Sequence, residues 1–180
     1  MRLLIPTLSY FALAMLLLAC AKVMVQYDKS ADFTTFKTFS FLKPEVKNGK
    51  NPLYQNPLLL KNTQQEISQQ LNAKGMQEVK TKPDVYIKIH TFVEKKTLKV
   101  ASAAPRYGYY GGRGYGSYSM RGGVQTIRYN EGTLIIDVLN GKDKDDLLWR
   151  GSIKSDVDNV QRLEQKLRRG VDLIFKKYPS

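Results

Sequence analysis

The distribution of apolar and polar residues along the chain predicts a series of strands and two helices. Short segments with alternating apolar residues predict strands. The most regular alternation runs through residues 84–95, where Val85, Ile87 and Ile89 share one face. Further strands are predicted at residues 23–28, around 39–41, shortly after 76, and at 124–129, 132–139 and 147–153.

Two segments with apolar residues at steps of three and four predict the helices. The first has Asn56 as its cap and Pro57 at its first position, and Gly75 ends it. The second stops before Pro179, and its apolar face consists of Val160, Leu163, Leu167, Val171, Ile174 and Tyr178.

The simplest fold that buries both helical stripes places them on one face of a sheet. We therefore expect an α+β domain with a single antiparallel sheet of about five to seven strands and two helices packed on one face.

The first nineteen residues have the layout of a secretory signal peptide, with Arg2 followed by an apolar stretch and small residues. The uninterrupted apolar part is too short to span a bilayer well. Cys20, the chain's one cysteine, directly follows Leu17-Leu18-Ala19. This junction resembles the bacterial lipobox, which implies that the Cys20 thiol carries a lipid and that residues 1–19 are removed.

The expected mature chain is then a single domain, residues 20–180, tethered to a membrane through Cys20. Residue 21 is Ala, whereas Asp at this position retains lipoproteins in the inner membrane of enteric bacteria. The resemblance therefore implies the periplasmic face of the outer membrane, with the inner membrane or the cell surface as alternatives. An uncleaved signal anchor and a cytosolic protein also remain open.

The amino-acid composition excludes several kinds of functional site. The 180 residues are 42% hydrophobic and 25% charged, which fits one globular domain, and the net charge is +13. One Cys and one His exclude an intrachain disulfide, a Cys/His zinc site and an iron–sulfur cluster. No metal or other cofactor is predicted, and a Ser-His-Asp triad would have to use His90.

A Gly/Tyr/Arg-rich insert at about residues 103–123 is the most unusual segment. It is either a flexible exposed excursion between strands or a contact segment for a ligand or partner, since Tyr and Arg are favoured at interfaces. Arg and Tyr can also bind single-stranded RNA, but no nucleic acid is expected in the predicted compartment. The candidate contact residues are Arg106, Tyr107, Tyr109, Tyr110, Arg113, Tyr115, Tyr118 and Arg121.

Other candidates have plain structural interpretations. His90 is expected to be structural or exposed, and Trp149 to anchor the core beneath the helices. Arg150 either binds an anion or is simply exposed. The acidic run Asp143, Asp145 and Asp146 lacks the glycine and distant Glu of a calcium loop, so it predicts a solvated turn.

Three clusters carry much of the basic excess. They are either solvated or attract anionic lipid, lipopolysaccharide or wall polymer. The clusters are Lys95-Lys96-Lys99, Lys166 with Arg168-Arg169, and Lys176-Lys177.

The order of several motifs resembles the bacterial lipoproteins grouped as domain of unknown function 4136. The motifs are the lipobox, Tyr27-Asp28, Phe36-Lys37-Thr38-Phe39, Lys74-Gly75, Pro83-Asp84-Val85, the Gly/Tyr-rich insert, residues 131–137, Leu148-Trp149-Arg150-Gly151 and Tyr178-Pro179. The resemblance covers the mature chain and implies a fold and a location, but no catalytic residue.

These features favour a non-enzymatic, lipid-anchored envelope protein with a structural or binding role at the outer membrane. Its expected partners are the membrane and either an anionic envelope component or another envelope protein. An envelope enzyme with an unrecognised site is the first alternative. A nucleic-acid binder that uses the Arg/Gly/Tyr segment is the second.

Overall fold

The computed structural model describes residues 23–43, 56–106 and 119–179, without the side chains of residues 102–123 and Val160. Two short 3-10 helices, Phe33–Thr35 and Val160–Arg162, accompany the main elements. Those main elements are β1 (Val23–Tyr27), β2 (Thr38–Phe41), α1 (Pro57–Ala73), β3 (Gln77–Glu78), β4 (Val85–Arg106), β5 (Ser119–Asn140), β6 (Leu147–Asp156) and α2 (Leu163–Phe175).

The strands form one six-stranded sheet in the order β1-β6-β5-β4-β2-β3. Every pairing is antiparallel except those of β2, which runs parallel to both β3 and β4. Parallel neighbours need a crossover connection, and α1 provides it between β2 and β3. The sheet is therefore mixed but mostly antiparallel, and the predicted α+β fold is confirmed.

The central pair, β4 and β5, is longer than the sequence pattern indicates. Each strand has 22 residues, and the pairing continues without a register shift from Val85↔Asn140 to Arg106↔Ser119. The two strands predicted at residues 124–129 and 132–139 are therefore one strand. Gly132, the first residue of the second predicted strand, lies opposite Val93 within the continuous pairing of β5 with β4.

A reciprocal hydrogen-bond pair fixes the parallel register of β2 beside β4. Asp84 Oδ2 accepts hydrogen bonds from the backbone N–H groups of Lys37 and Thr38, both at 2.9 Å, and from the Thr38 hydroxyl at 2.8 Å. The Asp84 N–H in turn donates to Thr38 Oγ1 at 2.9 Å. The Lys37 N–H bond and the Thr38 hydroxyl lower the pKa of Asp84. This contact joins two motifs that lie 46 residues apart.

The ends of α1 are those that the sequence predicts. The Asn56 side chain accepts from the N–H groups of Leu58 and Leu59, and Pro57 occupies the first turn. Gly75 follows the helix with φ at +84°, a backbone conformation that glycine adopts without steric cost.

The core lies between the helices and one face of the sheet. Trp149 is fully buried there, with its ring centroid 5.7 Å from that of Phe175 and 5.1 Å from that of Tyr178. This position confirms the expected role of Trp149 as a core anchor. The remaining buried apolar residues come from both helices and from alternate positions of the strands; among them are Phe39, Ile67, Leu71, Val85, Ile87, Ile136, Val138, Val171 and Ile174.

A close approach of α2 to β6 makes Gly151 a sensitive position. A Cβ at Gly151 would collide with the Trp149 ring and would lie 2.5 Å from Cγ2 of Ile174. We expect Gly151→Ala to lower the free energy of unfolding by about 2 kcal/mol, because the added methyl group overpacks this contact. Chemical denaturation measures the effect. Ser152→Ala, one residue along on the opposite face, is the control and should cost less; equal losses would contradict the explanation.

Candidate functional site

The face of the sheet away from the helices carries a buried carboxylate at its centre. Asp137, on β5, is only 2% exposed. Its side chain lies on this open face because its neighbours Ile136 and Val138 occupy the core face of the same strand. An isolated charge at such a position would be strongly destabilising, so its partners decide what the site can do.

Arg150 of β6, directly opposite Asp137 in the ladder, binds both carboxylate oxygens. The Arg150 Nε–Asp137 Oδ1 distance is 2.6 Å, and the Arg150 Nη2–Asp137 Oδ2 distance is 2.7 Å. His90 of β4 adds a third contact, with Nε2 at 3.2 Å from Asp137 Oδ2. We call Asp137, Arg150 and His90 the carboxylate cluster.

The carboxylate cluster keeps Asp137 ionised despite its burial. Burial by itself would raise the pKa of Asp137, but the hydrogen bonds from Arg150 and His90 outweigh it, so this pKa lies below its usual value. The Asp137 carboxylate in turn raises the pKa of Arg150. This arrangement suits a structural ion pair better than a general base, since Arg150 already engages both oxygens that would accept a proton.

The distal part of β4 and β5 is the second unusual feature. The pairing of β5 with β6 ends at Glu131↔Asp156, and that of β4 with β2 ends at Phe41↔Ile87. Among the described residues, the strands therefore pair only with each other over residues 95–106 and 119–130. We call this two-stranded segment the ribbon.

The two faces of the ribbon differ in chemistry. Strand alternation places Leu98, Val100 and Ile127 on its open face, where Leu98 and Ile127 are 52% and 47% exposed. Leu98 lies directly opposite Ile127. The other face, which continues the helix side of the sheet, carries the exposed Val124 and the exposed basic residues Lys95, Lys99 and Arg128.

An apolar cavity of about 290 Å³ opens on the helix side near the base of the ribbon. Its lining includes Leu59 of α1, Ile153 of β6 and Leu167 of α2. Lys166 also borders the cavity, but its ammonium group is held by the Asp156 carbonyl at 2.6 Å. The lining is mostly apolar, and its polar members are Asn56, Thr91, Thr133, Ser155 and Lys166.

The predicted contact residues fall outside what the structure describes. Cys20 lies before the described residues, as do residues 1–19. Six of the predicted contact residues lie between β4 and β5, outside the described ranges: Tyr107, Tyr109, Tyr110, Arg113, Tyr115 and Tyr118. Arg106 and Arg121 belong to the backbone of these strands, but their side chains are not described. The outer parts of the predicted insert thus lie within the two strands.

The acidic run after β5 forms a turn. The Asp145 N–H donates to Asp143 Oδ1 at 3.0 Å, and Asp146 Oδ2 accepts from the Asn140 side chain at 3.0 Å. These contacts agree with the predicted turn. In the described ranges, no group of three His, Cys, Asp or Glu side chains is placed to hold a metal ion.

The basic residues near α2 are partly neutralised by neighbouring carboxylates. Arg168 Nε lies 3.0 Å from Glu66 Oε1 and so links the two helices. Lys176 Nζ lies 2.8 Å from Asp172 Oδ2. In the ribbon, Lys96 Nζ lies 2.6 Å from Glu94 Oε2. Lys95, by contrast, forms no ion pair with a described residue.

The sequence pattern indicated Arg150 and His90 as two separate candidates, and Asp137 was not among the candidate site residues. A signal was present, since one Asp interrupts an otherwise apolar run at residues 134–139 and one Arg follows Trp149 in the next strand. Opposite charges inside two consecutive strands of a hairpin are candidates for a cross-strand pair. The anion at Arg150 is thus a side chain of the same domain.

Comparison with known proteins gives a family and a fold. The model of the family described as "Domain of unknown function (DUF4136)" matches residues 23–180. No curated protein matches the chain. No helix among the described residues has both the length and the apolarity needed to cross a membrane.

Three solved structures are similar to the chain. A PDZ domain protein from Parabacteroides distasonis has 19% identity and a TM-score of 0.59; the match covers 87% of this chain and 35% of that protein, so this chain spans about a third of it. A DUF4136 family protein from Bacteroides thetaiotaomicron has 18% identity, a TM-score of 0.49 and coverages of 88% and 95%. A PelC dodecamer from Paraburkholderia phytofirmans has 6% identity, a TM-score of 0.45 and coverages of 85% and 93%. At these identities the first likeness shows the fold alone.

Substitution of Asp137 tests whether the carboxylate cluster stabilises the fold. We expect Asp137→Asn to lower the free energy of unfolding at pH 7 by about 2 kcal/mol, because Arg150 loses the charge that compensates it. A carboxyl group with a lowered folded pKa stabilises the fold above its unfolded pKa of 3.8, and this stabilisation disappears as pH falls through the folded pKa. The difference between Asp137→Asn and wild type should therefore shrink below about pH 4.

Denaturant titrations over this pH range measure both effects. Asp145→Asn, in the exposed turn, is the matched control and should change stability by less than about 0.5 kcal/mol. A variant as stable as wild type at pH 7 would contradict the structural role of Asp137.

Proposed function

The chain belongs to the DUF4136 family, whose function is unknown, and on that premise we propose that it is a lipid-anchored cell-envelope protein with a structural or binding role. The observation that carries this proposal is the position of Cys20 relative to the domain. The lipobox-like Leu17-Leu18-Ala19-Cys20 ends only three residues before Val23, the first residue of β1.

This short connection supports a domain that is held against the membrane. Three residues span at most about 11 Å, so a lipid on Cys20 would keep the start of β1 close to the bilayer surface. Two or more acyl chains give durable anchoring, since each buried CH₂ contributes about 0.8 kcal/mol. The protein would face the periplasm from the outer membrane, as Ala21 implies by resemblance to other lipoproteins.

The proposed role is not catalytic. The charges of the carboxylate cluster compensate each other within the domain. An exposed ribbon and an apolar cavity are features of binding proteins. The predicted contact residues of the Tyr/Arg segment belong to the same proposal, with an anionic envelope component or another envelope protein as partner and no nucleic acid.

Lipidation is tested by intact mass and fractionation of the protein expressed in a bacterium with lipoprotein processing. The mass should equal residues 20–180 plus a diacylglyceride and its acyl modification. Cys20→Ser should abolish this addition and release the protein from carbonate-washed membranes, because the thiol is the attachment point.

Ala21→Ser is the matched control, since it changes the neighbouring residue and keeps the thiol; it should remain lipidated and membrane-bound. An unmodified, full-length wild-type mass in the soluble fraction would overturn the proposal. Membrane retention of Cys20→Ser after the carbonate wash would equally show that the anchor lies elsewhere.

A further inference from the structure

The ribbon projects from the same end of the sheet at which the chain enters β1. Val23 pairs with Ile153, Ile153 with Leu134, and Leu134 with Thr91, so these four residues lie at one level across the sheet. The direction from Tyr27 to Val23 in β1 is therefore the same as the direction from Ile87 to Thr91 in β4. The ribbon continues onward in that direction.

This geometry sets the ribbon beside the bilayer if Cys20 is lipidated. The lipid attachment point lies within about 11 Å of Val23. The ribbon begins at residue 95, four residues beyond the level of Val23, and its 12 paired residues extend about 40 Å at 3.4 Å per residue. If a ribbon about 40 Å long points towards the membrane, and the start of β1 lies within about 11 Å of the lipid attachment point, then the ribbon must contact the bilayer.

The charge of the ribbon is of one sign. The ribbon, residues 95–106 and 119–130, contains six Lys and Arg residues and no Asp or Glu. Basic residues near an anionic lipid surface each contribute about 1 kcal/mol of attraction. Within the described part, Lys95, Lys99 and Arg128 are exposed and share the helix-side face.

The opposite, open face of the ribbon is mostly apolar, with Lys96 and Gln125 as its polar residues, and it has no covering layer among the described residues. Leu98, Val100 and Ile127 are exposed there, although an isolated two-stranded hairpin is at best marginally stable in water. Amphipathic segments with an apolar face and a Lys/Arg-rich face lie in the plane of a membrane interface, with the apolar face inserted to about 5–10 Å. The ribbon has both faces in this arrangement.

From these observations we infer that the ribbon is an interfacial membrane-binding arm for anionic lipid. Leu98, Val100 and Ile127 enter the boundary between headgroups and acyl chains, while Lys95, Lys99 and Arg128 contact lipid phosphates at headgroup level. This inference rests on the proposed function, because the anchor at Cys20 brings the ribbon to the bilayer. It makes the lipid surface a second attachment point that needs no covalent modification.

The test uses the unlipidated chain from residue 21 onward, which contains every described residue. Its binding to vesicles of equal parts phosphatidylglycerol and phosphatidylcholine is compared with binding to pure phosphatidylcholine by co-sedimentation. We expect binding to the anionic vesicles to be at least about tenfold stronger, because lipid phosphates without a compensating choline attract the basic face.

Two variants separate the two faces of the ribbon. The first replaces Leu98 and Ile127 with Thr, which keeps strand propensity, and the second replaces Lys95, Lys99 and Arg128 with Glu. Each should reduce binding to anionic vesicles at least about tenfold while the thermal unfolding midpoint stays near that of the wild type.

Matched controls lie at the far end of the sheet, away from the ribbon. Replacing Lys29, Lys142 and Lys144 with Glu changes the net charge by the same amount, and Leu147→Thr removes one exposed apolar side chain. These variants should bind like the wild type. Equal losses in the controls, or no binding of wild type to anionic vesicles, would overturn the inference.

Self-association is the competing outcome. Sedimentation velocity without lipid would then show a stable dimer that the Leu98/Ile127 variant dissociates, with vesicle binding unchanged by either ribbon variant. That result assigns the apolar face to a second copy and overturns the membrane arm. Because the assay lacks the lipid on Cys20, its failure leaves the mass test of the anchor unaffected, and the two proposals fail separately.

Discussion

Burial of only one face of the sheet determines how the other parts of the domain are arranged. Both helices pack on a single face, where Trp149, Phe175 and Ile174 meet the central strands. Apolar burial contributes about 25 cal/mol per Å², so the alternate residues that face the helices provide most of the stabilisation. Gly151 shows how closely the layers approach, since even a methyl group there would meet Trp149 and Ile174.

The open face follows from this constraint. A sheet face without a covering layer must be compatible with water, and its centre here carries Asp137 with Arg150 and His90 rather than an apolar patch. The Asp137 carboxylate is nevertheless buried, so its ionisation depends on Arg150 and His90 from the two neighbouring strands. The site is polar because no helix packs on this face, and its buried carboxylate is compensated by the partly exposed Arg150 and His90.

The ribbon is the second consequence. The helices and the outer strands cover only the first part of β4 and β5, so no described residues form a layer on either face of the remainder of these strands. Exposed Leu98, Val100 and Ile127 would be unfavourable in an isolated soluble domain of this kind. The chain enters β1 at the same end of the sheet, three residues after Cys20. These exposed residues therefore lie on the side from which a lipid on Cys20 would extend. The start of β1, the cavity and the ribbon all lie towards one end of the described sheet.

Local periodicity and short-range capping chemistry are enough to predict the α+β class, α1 with its Asn56 cap and Gly75 end, the presence of α2, and Trp149 as a core anchor. The sequence also contains the lipobox-like junction at Cys20, which remains a prediction. The parallel register of β2, the continuity of β5 past Gly132 and the pairing of Asp137 with Arg150 become visible in the folded domain alone. Those features arise from hydrogen bonds and ion pairs between residues distant in sequence or on different strands, which a linear pattern of apolar and polar positions does not encode.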